Sequence, residues 1–321
     1  MITAIFYNRR QSRLRAGWRI LIYFVFLFGT VALTSFAVRS ALPAGPIRSS
    51  VNLLVLPFVL FGSLVAAGRY LDHREFKSYG FHLSKGWWLD IMFGFGLGAL
   101  IFCAIFLFEK AMGWVAIACF FQNQRDGYIG LPFAVPLAIG FLAFVAVGLM
   151  EEIVFRGYLI SNLAEGLNRK NTEAKKALIG AAVLSSVIFG LFHSANPNTT
   201  AVGVINIAFM GLLLVLPYVL SGELAMPIAI HMSWNFFQGH VFGFPVSGVA
   251  HQVSFVAIDQ TGPSIWTGGA FGPEGGLVGT AAAALGCVLV LLWYKMTHRP
   301  ASLFLKLAEF HPPISGKNGA L

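Results

Sequence analysis

Apolar residues gather along this chain into runs of roughly 20, the length that crosses about 30 Å of hydrocarbon as a helix, with the polar residues set between them. Such runs lie at 17–38, 51–68, 87–108, 137–160, 176–195, 200–220, 224–242 and 275–296. The pattern predicts an all-α, polytopic transmembrane helix bundle of about eight spans. Arg9, Arg10, Arg13, Arg15 and Arg19 precede or open the first run, as in a signal peptide. Its apolar stretch of about 20 residues exceeds the roughly 7–15 of a cleavable leader, so it is expected to stay as the first span.

Composition narrows the class. Of 321 residues, 57% are hydrophobic and 11% charged, against about 25% charged in a soluble domain. Disorder is excluded by the apolar content, and a disulfide scaffold by a count of three cysteines. The net charge of +9 does not point to nucleic acid, because the basic residues fall in short clusters beside the apolar runs. The partner they suit is a lipid bilayer. Counted over alternate loops, 18 Lys and Arg lie on the side of the termini and 4 on the other. Both termini are therefore expected in the cytoplasm, at the plasma or inner membrane if the chain is bacterial.

Small residues at helical spacing, such as Gly94, Gly96 and Gly98, or Gly279, Ala283 and Cys287, are expected to let helices approach closely. The Gly-, Pro- and Ser-rich loop 243–274 has no phosphate-loop pattern. It reads as a lid, a re-entrant hairpin or a flexible linker. No internal repeat is evident, which weakens a transporter built on inverted repeats.

An ionisable side chain at membrane depth costs at least ~2.5–3.5 kcal/mol on insertion scales, so each requires a reason. Most acids fall at helix ends or in loops, Asp126 and Glu274 among them. Glu151, Glu152, His193 and His231 remain inside, with Arg156 and Asn235 each one turn beyond one of them. Glu152 and Arg156 are i and i+4 with the acid N-terminal, the favourable order for an ion pair. Glu151 points about 100° away on an α-helix. An unpaired carboxylate in apolar surroundings is suited to act as a general base. His231 and Asn235 present an imidazole and an amide on one face, and Phe189 lies one turn before His193 as an aromatic wall.

These residues resemble a known family. E-E-I-V-F-R at 151–156 fits E-E-x-x-x-R, F-G-L-F-H at 189–193 fits F-x-x-x-H, and H-M-S-W-N at 231–235 fits H-x-x-x-N. These are, in order, the three motifs of the CAAX protease and bacteriocin-processing family of intramembrane proteases. The resemblance covers roughly 140–242. It implies endoproteolysis of a membrane-associated protein or peptide, with Glu151 and His193 activating water and His231 and Asn235 stabilising the oxyanion. Glu152, Arg156 and Phe189 would support them. The family is usually grouped with metalloproteases, so a zinc on Glu151, His193 and His231 stands open beside metal-free glutamate catalysis. Four segments follow: spans one to three at 1–136, a catalytic core at 137–242, the outer loop at 243–274, and the last span with its tail at 275–321.

Two other functions fit the same buried groups: a proton- or ion-coupled transporter, and a non-catalytic immunity or scaffold protein of the same fold. Depth poses a difficulty for the first reading. At ~1.5 Å per residue, Glu151 lies near mid-helix and His231 roughly 10 Å from the terminus-side end of its span. His193 falls near the outer end, so convergence would need span five to sit further inward.

Overall fold

The computed structural model describes residues 3–9, 11–43, 45–124, 129–170, 172–297 and 299–310. Arg10, Arg125 and Asp126, which the sequence places in loops, lie outside the described residues. The long helices are α1 (Ala16–Ala41), α2 (Pro46–Ala67), α3 (Lys85–Ala111), α4 (Ala134–Leu167), α5 (Ala174–Ala195), α6 (Ala201–Ser221), α7 (Ala225–Phe236) and α8 (Leu277–Met296). Seven are long and apolar enough to cross a membrane. The exception, α7, has twelve residues and runs on through five more, Phe237–Val241, as the eighth apolar segment. The chain is an all-α polytopic bundle, as its hydropathy pattern predicts.

α7 lies among its neighbours because glycines on α3 and α4 make room for it. A Cβ added to Gly94 would sit 2.9 Å from the Met226 carbonyl oxygen, and one on Gly98 2.9 Å from that of Ile230. A Cβ on Gly148 of α4 would meet Met232 at 3.2 Å. Gly96, on the opposite face of α3, has open space around it. The small-residue spacing thus works through two of its three glycines, since 3.6 residues per turn puts 94 and 98 on one face. Gly98→Leu is expected to cost at least about 3 kcal/mol through overpacking, and Gly96→Leu less than about 0.5 kcal/mol as a surface change. Thermal unfolding of both variants in detergent checks this.

Two features depart from a plain bundle. Helices widen to π geometry at Gly68–Asp72, Ile153–Ile160 and Phe237–Val241, and such loosened turns recur at functional sites. The second departure is in the outer loop, where part of 243–274 forms a strand. β1 (Val115–Asn123) and β2 (Val253–Gln260) form an antiparallel ribbon running from Val115 opposite Gln260 to Asn123 opposite Val253. A register shift falls between Ile117 and Cys119.

The contacts define two faces. On one, Arg13 meets Glu165, Asn168 donates to the Ala308 carbonyl, and Arg74 donates to that of Glu309. The N-terminal segment, the ends of α2 and α4, and the described part of the tail therefore gather together. Arg299 seals the tail by gripping Asp90 at 2.7 and 2.6 Å. The other face carries the β1–β2 ribbon and the loop from Gly243 to Gly276.

Candidate active site

Glu151 and Glu152 end the regular part of α4, directly before the π stretch Ile153–Ile160. Glu152 is fully buried, and its Oε1 accepts from Arg156 Nη1 at 3.1 Å and from His231 Nδ1 at 2.7 Å. The guanidinium of Arg156, equally buried, lies 4.2 Å over the Phe189 ring and reaches the Gly211 carbonyl at 3.4 Å. One carboxylate, one cation and one aromatic ring thereby lock α4, α5, α6 and α7 together. Against a carboxylate, which only accepts, His231 Nδ1 carries the proton. Its Nε2 is turned toward Glu151, 3.8 Å from Oε2.

Glu151 contrasts with its neighbour. Its side chain is about a third exposed, at 30%, yet Oε2 is buried with no hydrogen-bond partner. Adjacent positions on a helix face different surroundings, and here both acids keep an open Oε2 but only Glu152 is paired with Arg156.

His193 follows the last regular turn of α5, in a short 3₁₀ turn held by Thr199, whose hydroxyl donates to its carbonyl. Its Nδ1 lies 2.8 Å from the Phe189 carbonyl oxygen, so Nδ1–H donates there and Nε2 is left facing the cavity. Phe189 lies between the two imidazoles, with ring centres 4.7 Å from His193 and 6.2 Å from His231. Asn235, half-buried, makes no side-chain hydrogen bond among the described residues. Phe189, His193, His231, Asn235, Ser247 and Glu274 all line one cavity of about 40 Å³, room for a water or two. Glu151 reaches His231 from beside it, and no ion pair joins Glu151 to His193 among the described residues.

The chain from Gly243 to Gly276 folds inward and brings Ser247 and Glu274 to the cavity wall. Glu274 is buried; its carboxylate accepts from the Ser247 amide and hydroxyl and from Gln238 Nε2. Trp234 Nε1 donates to Gln238 Oε1 at 2.8 Å, and Asn206 Nδ2 to the Gly275 carbonyl at 2.9 Å. Sequence reading placed Glu274 in a loop and passed over Gln238 and Ser247. The available signal was an acid set within G-P-E-G-G immediately before an apolar span.

Burial raises the Glu274 carboxyl above its ordinary 4.5, and the donors from Gln238 and Ser247 only partly oppose that. A raised folded-state value means the folded chain binds more protons, so this group's contribution is full below 4.5 and declines as pH rises through the folded value. The thermal midpoint of the wild type is expected to fall more steeply above pH 4.5 than that of Glu274→Gln. Parallel melting curves across pH check this; equal slopes would refute it.

Glu151 Oε2 and His231 Nε2 come within 4 Å, and the Nδ1 contacts of His231 to Glu152 and of His193 to the Phe189 carbonyl leave each Nε2 open, as in metal-ligating histidines. Among the described residues no group of three or more His, Cys, Asp or Glu side chains is placed to hold a metal ion. The three donors of a catalytic zinc site are therefore not gathered around one point among the described residues.

Fold and site together define a multi-pass helical membrane protein with a buried acid, imidazole and carboxamide cluster. Residues 133–237 match the family model described as type II CAAX prenyl endopeptidase, Rce1-like. That stretch contains all three motifs, at 151–156, 189–193 and 231–235. The recognition made from those motifs is borne out by this match, and the matched family is one of proteases. No curated protein matches the chain.

Proposed function

We propose that this chain is an intramembrane endopeptidase in which Glu151 takes the proton of the attacking water. One observation carries the reading: of two adjacent glutamates, buried Glu152 is engaged through Oε1 by Arg156 and His231, while half-buried Glu151 pairs with no arginine or lysine among the described residues and holds its Oε2 3.8 Å from His231 Nε2. A base and a preorganised donor around one point are what hydrolysis needs, whereas a proton relay tolerates many geometries.

Water attacks the scissile carbonyl as Glu151 accepts its proton. The carboxamide of Asn235 donates to the developing oxyanion, joined by His231 when its Nε2 is protonated, with Glu152 balancing that charge. As the tetrahedral intermediate collapses, the C–N bond breaks and the proton held by Glu151 passes to the leaving amine. His193, with Nδ1 tied to the Phe189 carbonyl, offers Nε2 as a second proton acceptor within the cavity. The substrate class is a membrane-associated protein or peptide. Purified protein is expected to cut such a peptide and Glu151→Ala to leave it intact; cleavage by both, or proton flux in vesicles without cleavage, would overturn the proposal.

The basic asymmetry of 18 to 4 supports a cytoplasmic location for both termini. The cavity walls formed by Ser247 and Glu274 would then lie toward the opposite side. In a Cys119→Ser background, Ala250→Cys and Ser302→Cys, both exposed, are expected to react with an impermeant thiol reagent from opposite sides. Labelling from the same side would refute this orientation.

A further inference from the structure

A second built site lies where the N-terminal segment meets the end of α4, far in sequence from the catalytic motifs. There a two-residue strand pair, Tyr7–Asn8 with Arg13–Leu14, folds against the start of α1 and the Glu165–Lys170 end of α4. Between them is a polar cavity of about 560 Å³, lined among others by Arg9, Arg15, Arg19, Glu165, Arg169 and Lys170. Five cations face one acid.

Beneath the cavity, too, guanidiniums outnumber the carboxylates that they pair with. Arg13, Arg19 and Arg74 all pair with Glu165, and Arg19 also pairs with Asp72 at 2.9 Å. Three guanidiniums thus share two carboxylates. Arg19 is buried, yet its Nε has no hydrogen-bond partner. Ala16 and Gly17, in the first turn of α1, line the same cavity. That turn contains no acid and no side-chain cap, and the leading amides of a helix attract anions.

What the site faces distinguishes a lipid from a dissolved anion. Beside it, Ile5 and Phe6 are exposed, with Phe6 packed 4.8 Å from Trp18. Leu21, Ile22 and Val25 continue the apolar surface along α1. A ligand with a phosphate head and hydrocarbon tails meets both surfaces at once, whereas free phosphate meets only the first.

We propose that this cavity holds the phosphate headgroup of an anionic phospholipid whose acyl chains lie along Leu21, Ile22 and Val25 of α1. Its function is to fix the strand pair, α1 and α4 at one membrane surface, and it does not depend on the catalytic reading.

Native mass spectrometry of the full chain in detergent tests it, with phosphatidylglycerol, phosphatidylcholine of the same acyl chains, and inorganic phosphate as probes. Wild type is expected to favour phosphatidylglycerol by at least about tenfold, because each cation near a headgroup contributes roughly fivefold. Arg15→Gln/Arg169→Gln/Lys170→Gln, all at exposed positions, should reduce that preference to under about twofold, and the lipid-free thermal midpoint of Arg169→Gln/Lys170→Gln should stay put. Arg169→Gln alone should lose about threefold to fivefold, which keeps the test decisive if the triple variant does not fold. Arg39→Gln, at the other end of α1, should lose nothing. Equal binding of the two lipids by wild type, or a preference unchanged in the cavity variants, would overturn the proposal. Displacement of the lipid by inorganic phosphate at equal concentration would overturn it too, assigning the site to a free anion.

Discussion

Replacing Glu152 with glutamine is expected to lower the stability of the protein by about 3–5 kcal/mol, the cost of stranding one member of a buried ion pair. Arg156 and Glu152 are both fully buried, so the orphaned guanidinium has no water to turn to. Its remaining contacts, the Phe189 ring and the Gly211 carbonyl, do not carry charge. His231 would lose the carboxylate that holds its Nδ1 proton, so turnover should fall with stability. Thermal unfolding in detergent and peptide cleavage are the paired measurements. A second variant separates the two effects: Glu152→Leu/Arg156→Met removes both charges and should recover much of the lost stability. It should not recover activity, because His231 still lacks its partner. Recovery of both would mean that Glu152 does nothing more than balance Arg156.

The opposite outcome is expected one residue earlier. Glu151→Gln breaks no hydrogen bond among the described residues and leaves the Glu152, Arg156 and His231 network in place. Its thermal midpoint should stay within about 2 °C of wild type, as for surface changes of less than about 0.5 kcal/mol. Its cleavage rate should fall about 10²- to 10⁴-fold, the usual contribution of a positioned general base, since an amide does not accept water's proton. Measured together, the two variants should show stability lost at 152 and rate lost at 151. Equal instability of both, or an undiminished rate in Glu151→Gln, would refute the division of labour.

That division was partly legible before any coordinates. The i, i+4 spacing of Glu152 and Arg156 puts acid and cation on one helix face whatever surrounds them, because local geometry sets it. Hydropathy likewise determined the bundle: a backbone in hydrocarbon must satisfy its hydrogen bonds internally, so long apolar runs become helices. The glycine face of α3 follows from periodicity. Three spaced motifs carried the family.

Other features were decided only when distant segments met. That Glu152 also holds His231 depends on packing across 79 positions of sequence, and no local pattern encodes a partner so remote. The π stretch after Glu152 looks helical in any periodicity, because one extra residue in a turn leaves no compositional trace. Asp72, Glu165 and three arginines each read as an ordinary loop or helix-end charge, and become one buried cluster only when α1, α2 and α4 converge. Glu274 is the clearest case. In the sequence it stands in a Gly- and Pro-rich connection, whose flexibility leaves its course to tertiary contacts. Asn206, Gln238 and Ser247 fix that course, and with it the wall of the cavity. Hydrophobic periodicity is a property of each segment, whereas the partner of a buried charge is a property of the whole packed chain.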